Sequence, residues 1–187
     1  NSGLIVAGIV LAGMMAVSIH GNATHFGIIH PGPIGLALAL PGLLVTLVAG
    51  VAGGLFARLL LASARGNPLG KLSAWRKGRP VLFAAVCGLL VAAIGIASHG
   101  ATFGSGTVAT RAMLEGSSDA SPAFVAFKYV ATWLTVWSGV PAGIFAPSLA
   151  IGAGIGHDIA VLLHYPHAPA LIALGMVGFL AAATQAP

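Results

Sequence analysis

Arg58 is the first side chain of this sequence to carry a full charge. No Asp, Glu, Lys or Arg precedes it. A water-soluble domain cannot be built that way, because about a quarter of its residues are charged. Only 6% of the 187 residues here are charged and 58% are hydrophobic, so most of the surface must face hydrocarbon. Apolar runs extend over residues 4–19, 34–57, 81–98, 123–137, 144–163 and 170–183. Runs of that length and purity are read as membrane helices, which predicts an all-α, polytopic membrane protein. Pro41 is expected to kink or restart the second run, and Pro80 to open the third as a first-turn proline. Most of the 27 glycines fall inside the runs, where they signal close helix packing.

The sparse charges orient the runs. Six of the eight basic residues, Arg58, Arg65, Lys71, Arg76, Lys77 and Arg79, lie between the second and third runs. The excess of Lys and Arg on cytoplasmic loops places this segment in the cytoplasm, and residues 20–33 and 99–121 outside. The same rule accounts for the basic pI, so no nucleic-acid partner is implied. The single cysteine, Cys87, sits in an apolar run and gives no disulfide framework.

Between Trp137 and Ile144 stands only Ser-Gly-Val-Pro-Ala-Gly. That segment is too short and too rich in Gly and Pro for an ordinary solvated loop. It fits a break between two helices meeting inside the membrane, and irregular backbone at that depth lines a cavity or is buried in protein. Gly139 and Gly143 permit positive φ and close approach to a ligand. Pro147 suits a first helical turn. The N–H groups of Ile144 and Phe145 are then left free at the positive end of a long helix, which is an anion site built from backbone dipoles. Gly143, Ile144, Phe145, Ala146 and Pro147 are the candidate anion-binding residues. A site that conducts must also bind weakly enough to release its ion.

This stretch, Gly143-Ile-Phe-Ala-Pro followed by Ser-Leu-Ala-Ile-Gly-Ala, resembles the third filter motif of the CLC chloride channels and chloride/proton antiporters. Lys128-Tyr-Val-Ala-Thr with Ser138-Gly139 looks like the helix that leads into that motif. Residues 173–183 with Ala186-Pro187 are similar to the helix and turn that follow it. The resemblance implies tilted and broken helices in an inverted-repeat architecture. Residues 1–20 would be the last helix of the first repeat, and 34–187 an incomplete second repeat carrying the filter segment 139–156. It implies chloride transport, as a voltage-gated-type channel or a chloride/proton exchanger, in a multi-pass protein of a bacterial inner membrane. Chloride is then the transported ion, with lipid around it, no cofactor, no bound metal and no catalytic residue. The family's Gly-Ser-Gly-Ile-Pro segment, its Gly-x-x-Gly-Pro segment with the gating glutamate, and its late filter tyrosine have no match here, so the sequence reads as a fragment. Gly8 and Ala12, with Gly3 and Gly13, give the first helix small-residue spacing for close backbone approach. In the family the matching helix lines a homodimer interface.

Other residues remain to be placed. Gly104-Ser105-Gly106-Thr107 reads as a helix-start turn. Lys128, the one base within an apolar run, is expected to snorkel or to add positive potential along the anion path rather than ligate an ion. Seven histidines suggest an alternative, a membrane enzyme handling metal or protons. His20, His25 and His30 recur every five residues, which spreads them around a helix rather than along one face. Asp158 is the only acid inside a run, and with His157 it is expected to reach an outer vestibule or form a pair.

Overall fold

The computed structural model describes residues 2–21, 26, 35–65, 70–117 and 122–185. The described residues are mostly helical, with no strand among them. In order come α1 (Ser2–His20), α2 (Ala39–Arg65), α3 (Gly70–Gly78), α4 (Pro80–Ala97), α5 (Thr107–Leu114), α6 (Ala123–Trp137), α7 (Phe145–Leu162) and α8 (Ala168–Thr184). A short 3-10 turn at Leu36–Leu38 leads into α2, so the second run restarts ahead of Pro41 instead of kinking. Pro41 lies in the first turn, where a lost N–H costs little. Pro80 opens α4 as the sequence requires. The segment Leu36–Ala64, α4 and α7 are long and apolar enough to cross a membrane, while α6 and α8 are apolar but shorter. The basic segment is not a plain loop. Its first part extends α2 to Arg65, and its second forms the polar helix α3.

The core forms where α8 packs on both α7 and α2. Val45 and Phe56 of α2, Ile151 of α7, and Leu171 and Phe179 of α8 are fully buried there. The α7–α8 contact is backbone against backbone. A Cβ on Gly152 would collide with the Gly175 carbonyl, and one on Gly156 with the Leu171 carbonyl. Hydrocarbon gives no hydrophobic drive between helices, so this close approach, with its dispersion contacts, holds the pair. On the other side α6 closes onto α2. The Tyr129 hydroxyl donates to the Ala52 carbonyl at 3.3 Å, and Trp133 Nε1 donates to Ser63 Oγ at 2.9 Å.

α1 contrasts with the rest. Among the described residues no other helix packs on it, and its described side chains are exposed. Gly3, Gly8 and Gly13 all face open space.

Candidate anion site

The break before α7 is built from the end of α6. Ser138 N–H donates to the Leu134 carbonyl at 2.9 Å, and Gly139, at φ +85°, turns the chain out of the helix. The Ser138 hydroxyl donates to the Thr135 carbonyl at 2.6 Å and accepts the Val140 N–H at 3.2 Å. This is the glycine-ended helix stop expected of a residue that must adopt the left-handed region. Residues 140–144 then run without regular structure, and α7 begins at Phe145. Its first helical bond runs from Ser148 N–H to the Ile144 carbonyl at 3.0 Å. Ile144 is the N-cap and offers no side-chain cap. No protein acceptor among the described residues meets the N–H groups of Ile144, Phe145 or Ala146. Pro147 occupies the first turn, where it has no donor to waste.

The two glycines of the break do different work. Gly139 supplies the positive φ. Gly143 does not enter that region, and a Cβ placed on it meets nothing within 4 Å, so its value is the space it leaves. That space belongs to an open cleft of about 590 Å³. Gly143, Phe145, Ala146 and Pro147 form one wall of the cleft, and Lys128, Thr132 and Thr135 of α6 form another. Thr102, Phe103, Gly104 and Ser105, from the connection between α4 and α5, form a third.

Lys128 is the one described charge in this cleft, and its setting differs from the snorkelling expected of it. The side chain is 2% exposed. Its Nζ donates to the Thr102 carbonyl at 2.9 Å and to the Gly104 carbonyl at 2.7 Å. Two backbone acceptors turned inward remove the reason to reach for water. An ammonium has three donors, and the third meets no protein acceptor among the described residues. No described carboxylate balances it: Glu115 pairs with Arg111 at 2.7 Å, and Asp158 lies 3.6 Å from His157. Burying a charge without a counter-ion costs several kcal/mol, so the cleft carries an electrostatic demand for an anion.

The α6 hydroxyls of the cleft do not supply donors. Thr132 Oγ1 donates to the Lys128 carbonyl at 2.7 Å and Thr135 Oγ1 to the Ala131 carbonyl at 2.8 Å. From α6 and α7, what remains for a negative ligand is the ammonium and the free N–H groups at the start of α7, aided by the positive end of that helix. Gly104 and Ser105 were legible in the sequence only as part of a turn before a helix. That turn is present, with Gly106 capping α5. Its position against the start of α7 depends on the Lys128 bonds, which no local pattern announces.

A family model described as voltage gated chloride channel matches residues 1–187. The chain belongs to that family. It is an integral membrane protein that moves chloride, as a channel or as a chloride/proton exchanger. No curated protein and no solved structure matches it. Members of the voltage gated chloride channel family are channels and transporters, which leaves the histidine-using membrane enzyme without support. Among the described residues no three or more His, Cys, Asp or Glu side chains gather in a metal-binding group. His25 and His30 lie outside the described residues. His157 and Asp158 do approach each other, although His157 Nδ1 makes no hydrogen bond.

Proposed function

We propose that chloride binds at the first turn of α7, held by the N–H groups of Ile144 and Phe145 within the cradle Gly143–Pro147, and that Lys128 supplies the positive potential that draws it there. One observation carries this reading: an uncapped helix start opens onto the same cleft as a buried, unbalanced ammonium. Backbone dipoles and one shielded charge attract an anion without trapping it, as conduction needs. Chloride efflux from liposomes containing the intact protein tests it. Lys128→Met should slow efflux and raise the half-saturating chloride concentration, and Lys128→Arg should keep most of both. Equal efflux from all three would refute the reading. Recording proton movement in the same liposomes separates a channel from an exchanger.

The remaining assignments follow the family resemblance. α1 is the last helix of the first repeat, the rest of the chain belongs to the second, and the basic segment around α3 faces the cytoplasm of a bacterial inner membrane. The bare face of α1 pairs with a second copy in a homodimer. Gly8 and Ala12, four residues apart on one side of α1, support this, with open space at Gly8, since small residues without a partner are suited to close helix approach. Gly8→Trp should weaken dimerisation, measured by dilution in detergent, and leave chloride binding per subunit unchanged. A dimer as tight as wild type would place that face elsewhere.

A further inference from the structure

Arg76 sits on α3, in the basic segment that charge distribution alone would explain as topology. Its position says more. Nη1 donates to the Ser63 carbonyl of α2 at 2.9 Å. The other side of the guanidinium lies over the turn that ends α6. A Cβ built on Gly139 would stand 3.4 Å from Nη2 and 4.0 Å from Nε. Gly139 therefore needs to be glycine for its φ of +85°, while a Cβ there would meet the guanidinium at ordinary van der Waals distance, which places Arg76 in contact range of the turn. A cation at this point also complements the negative, carbonyl-bearing end of α6.

The same short helix is also linked to α6 through α4. Trp75 packs edge-on against Phe83 of α4 at 5.3 Å, and Phe83 packs edge-on against Trp137, the last residue of α6, at 5.0 Å. Trp137 stacks on Trp133 at 4.9 Å, and Trp133 donates to the hydroxyl of Ser63, whose carbonyl Arg76 holds. Ser63 thus joins α2 to both α3 and α6. A few residues beyond Gly139 the chain delivers Gly143 and Phe145 to the cleft, with Ile144 between them as the N-cap of α7. That stretch has no regular structure, and Val140, Pro141, Ala142 and Gly143 are exposed. Its upstream anchor is the end of α6, where Arg76 lies.

We propose that Arg76 is a positioning residue for anion binding: it latches the Gly139 turn to α2 and so fixes where the first turn of α7 presents its N–H groups. The latch makes α3 the element through which the basic segment acts on chloride affinity. A planar fork suits the task, because one edge serves the Ser63 carbonyl while the rest lies across the turn. Lysine offers a single point and can hold only one side. The inference rests on the anion site proposed at the start of α7.

Chloride binding to the intact detergent-solubilised protein, measured by calorimetry and normalised to folded protein, tests the latch. Bromide anomalous diffraction on the wild type locates the ion first. No ion at α7 in the wild type would remove the site and the latch together. With the ion present, Arg76→Gln should weaken chloride binding about tenfold and Arg76→Lys about threefold, within the range by which residues remote from a ligand alter its affinity. Both should also relax discrimination between chloride and the larger nitrate. Simple destabilisation lowers the amount of folded protein but neither affinity nor selectivity per folded molecule. If Arg76→Gln does not fold, Arg76→Lys decides. Wild-type affinity and selectivity in a folded Arg76 variant would overturn the latch while leaving the α7 site standing.

Discussion

α7 is two structures in one helix. Between residues 150 and 156 all the side chains are buried and the backbone lies directly on α8. At its start Phe145 is 63% exposed, Gly143 faces open space and the first N–H groups have no acceptor. The body is fixed by contact that tolerates no added atom, whereas the first turn is left bare. Each condition depends on the other. A helix start with free donors stays where it is only if the remainder of the helix is held, and backbone-to-backbone packing holds it without using polar groups that the ligand needs. Donors held in this way are preorganised, so the anion binding proposed there would need no rearrangement of the helix start.

Putting the same side chain into each half sharpens the contrast. Gly156→Val drives a β-branched side chain into the Leu171 carbonyl. It should destabilise the protein by about 3 kcal/mol or more, toward the upper end of overpacking costs, and be visible as a large drop in thermal midpoint in detergent. A near-wild-type midpoint would mean that α7 and α8 can separate without penalty. A Cβ at Gly143 meets nothing within 4 Å, so Gly143→Val should leave the midpoint in place. It narrows the cleft instead, so chloride efflux should fall several-fold while the protein stays folded. Parallel losses of stability from both variants would erase the distinction between body and first turn.

Lys128→Met probes the bare half from the opposite wall. It leaves the Thr102 and Gly104 carbonyls without their donor, at a cost of about 1–3 kcal/mol for buried groups. It also removes the charge, and chloride affinity should drop about tenfold, equivalent to about 1.4 kcal/mol. The smallest effect is expected far from α7. Glu115→Gln breaks an exposed ion pair with Arg111 that is worth about 0.3–0.5 kcal/mol. Neither stability nor chloride affinity should change measurably, and a clear change in affinity would mean that surface charge, not the cleft, sets the anion's energy.

The sequence made the packed half and the outline of the bare half legible for different reasons. Absence of charge before Arg58 dictated membrane helices, and Gly-Pro spacing from Gly139 to Pro147 dictated the break and the start of α7. Helix boundaries moved by a few residues, and α2 ran on to Arg65 because basic side chains at a membrane edge do not end a helix. α3 was hidden, since nine residues ending in Arg76, Lys77 and Gly78 read by charge alone as a loop. The setting of Lys128 was hidden for another reason. A lysine in an apolar run normally turns outward, and only the fold brings the carbonyls of residues 102 and 104 within its reach. Of the two properties the sequence allows Gly143, positive φ and close approach, the structure uses no positive φ and leaves open space at that position. Long-range placement of this kind follows from packing, which no spacing rule contains.

The central claim is that the start of α7 is where the anion sits. Crystals of the intact protein grown in bromide and measured at the bromine absorption edge test it without relying on function. The anomalous difference map should show a peak within hydrogen-bond distance of the backbone nitrogens of Ile144 and Phe145, on the side of the cleft that Lys128 faces. Peaks elsewhere in the molecule, with none at these two nitrogens, would contradict it.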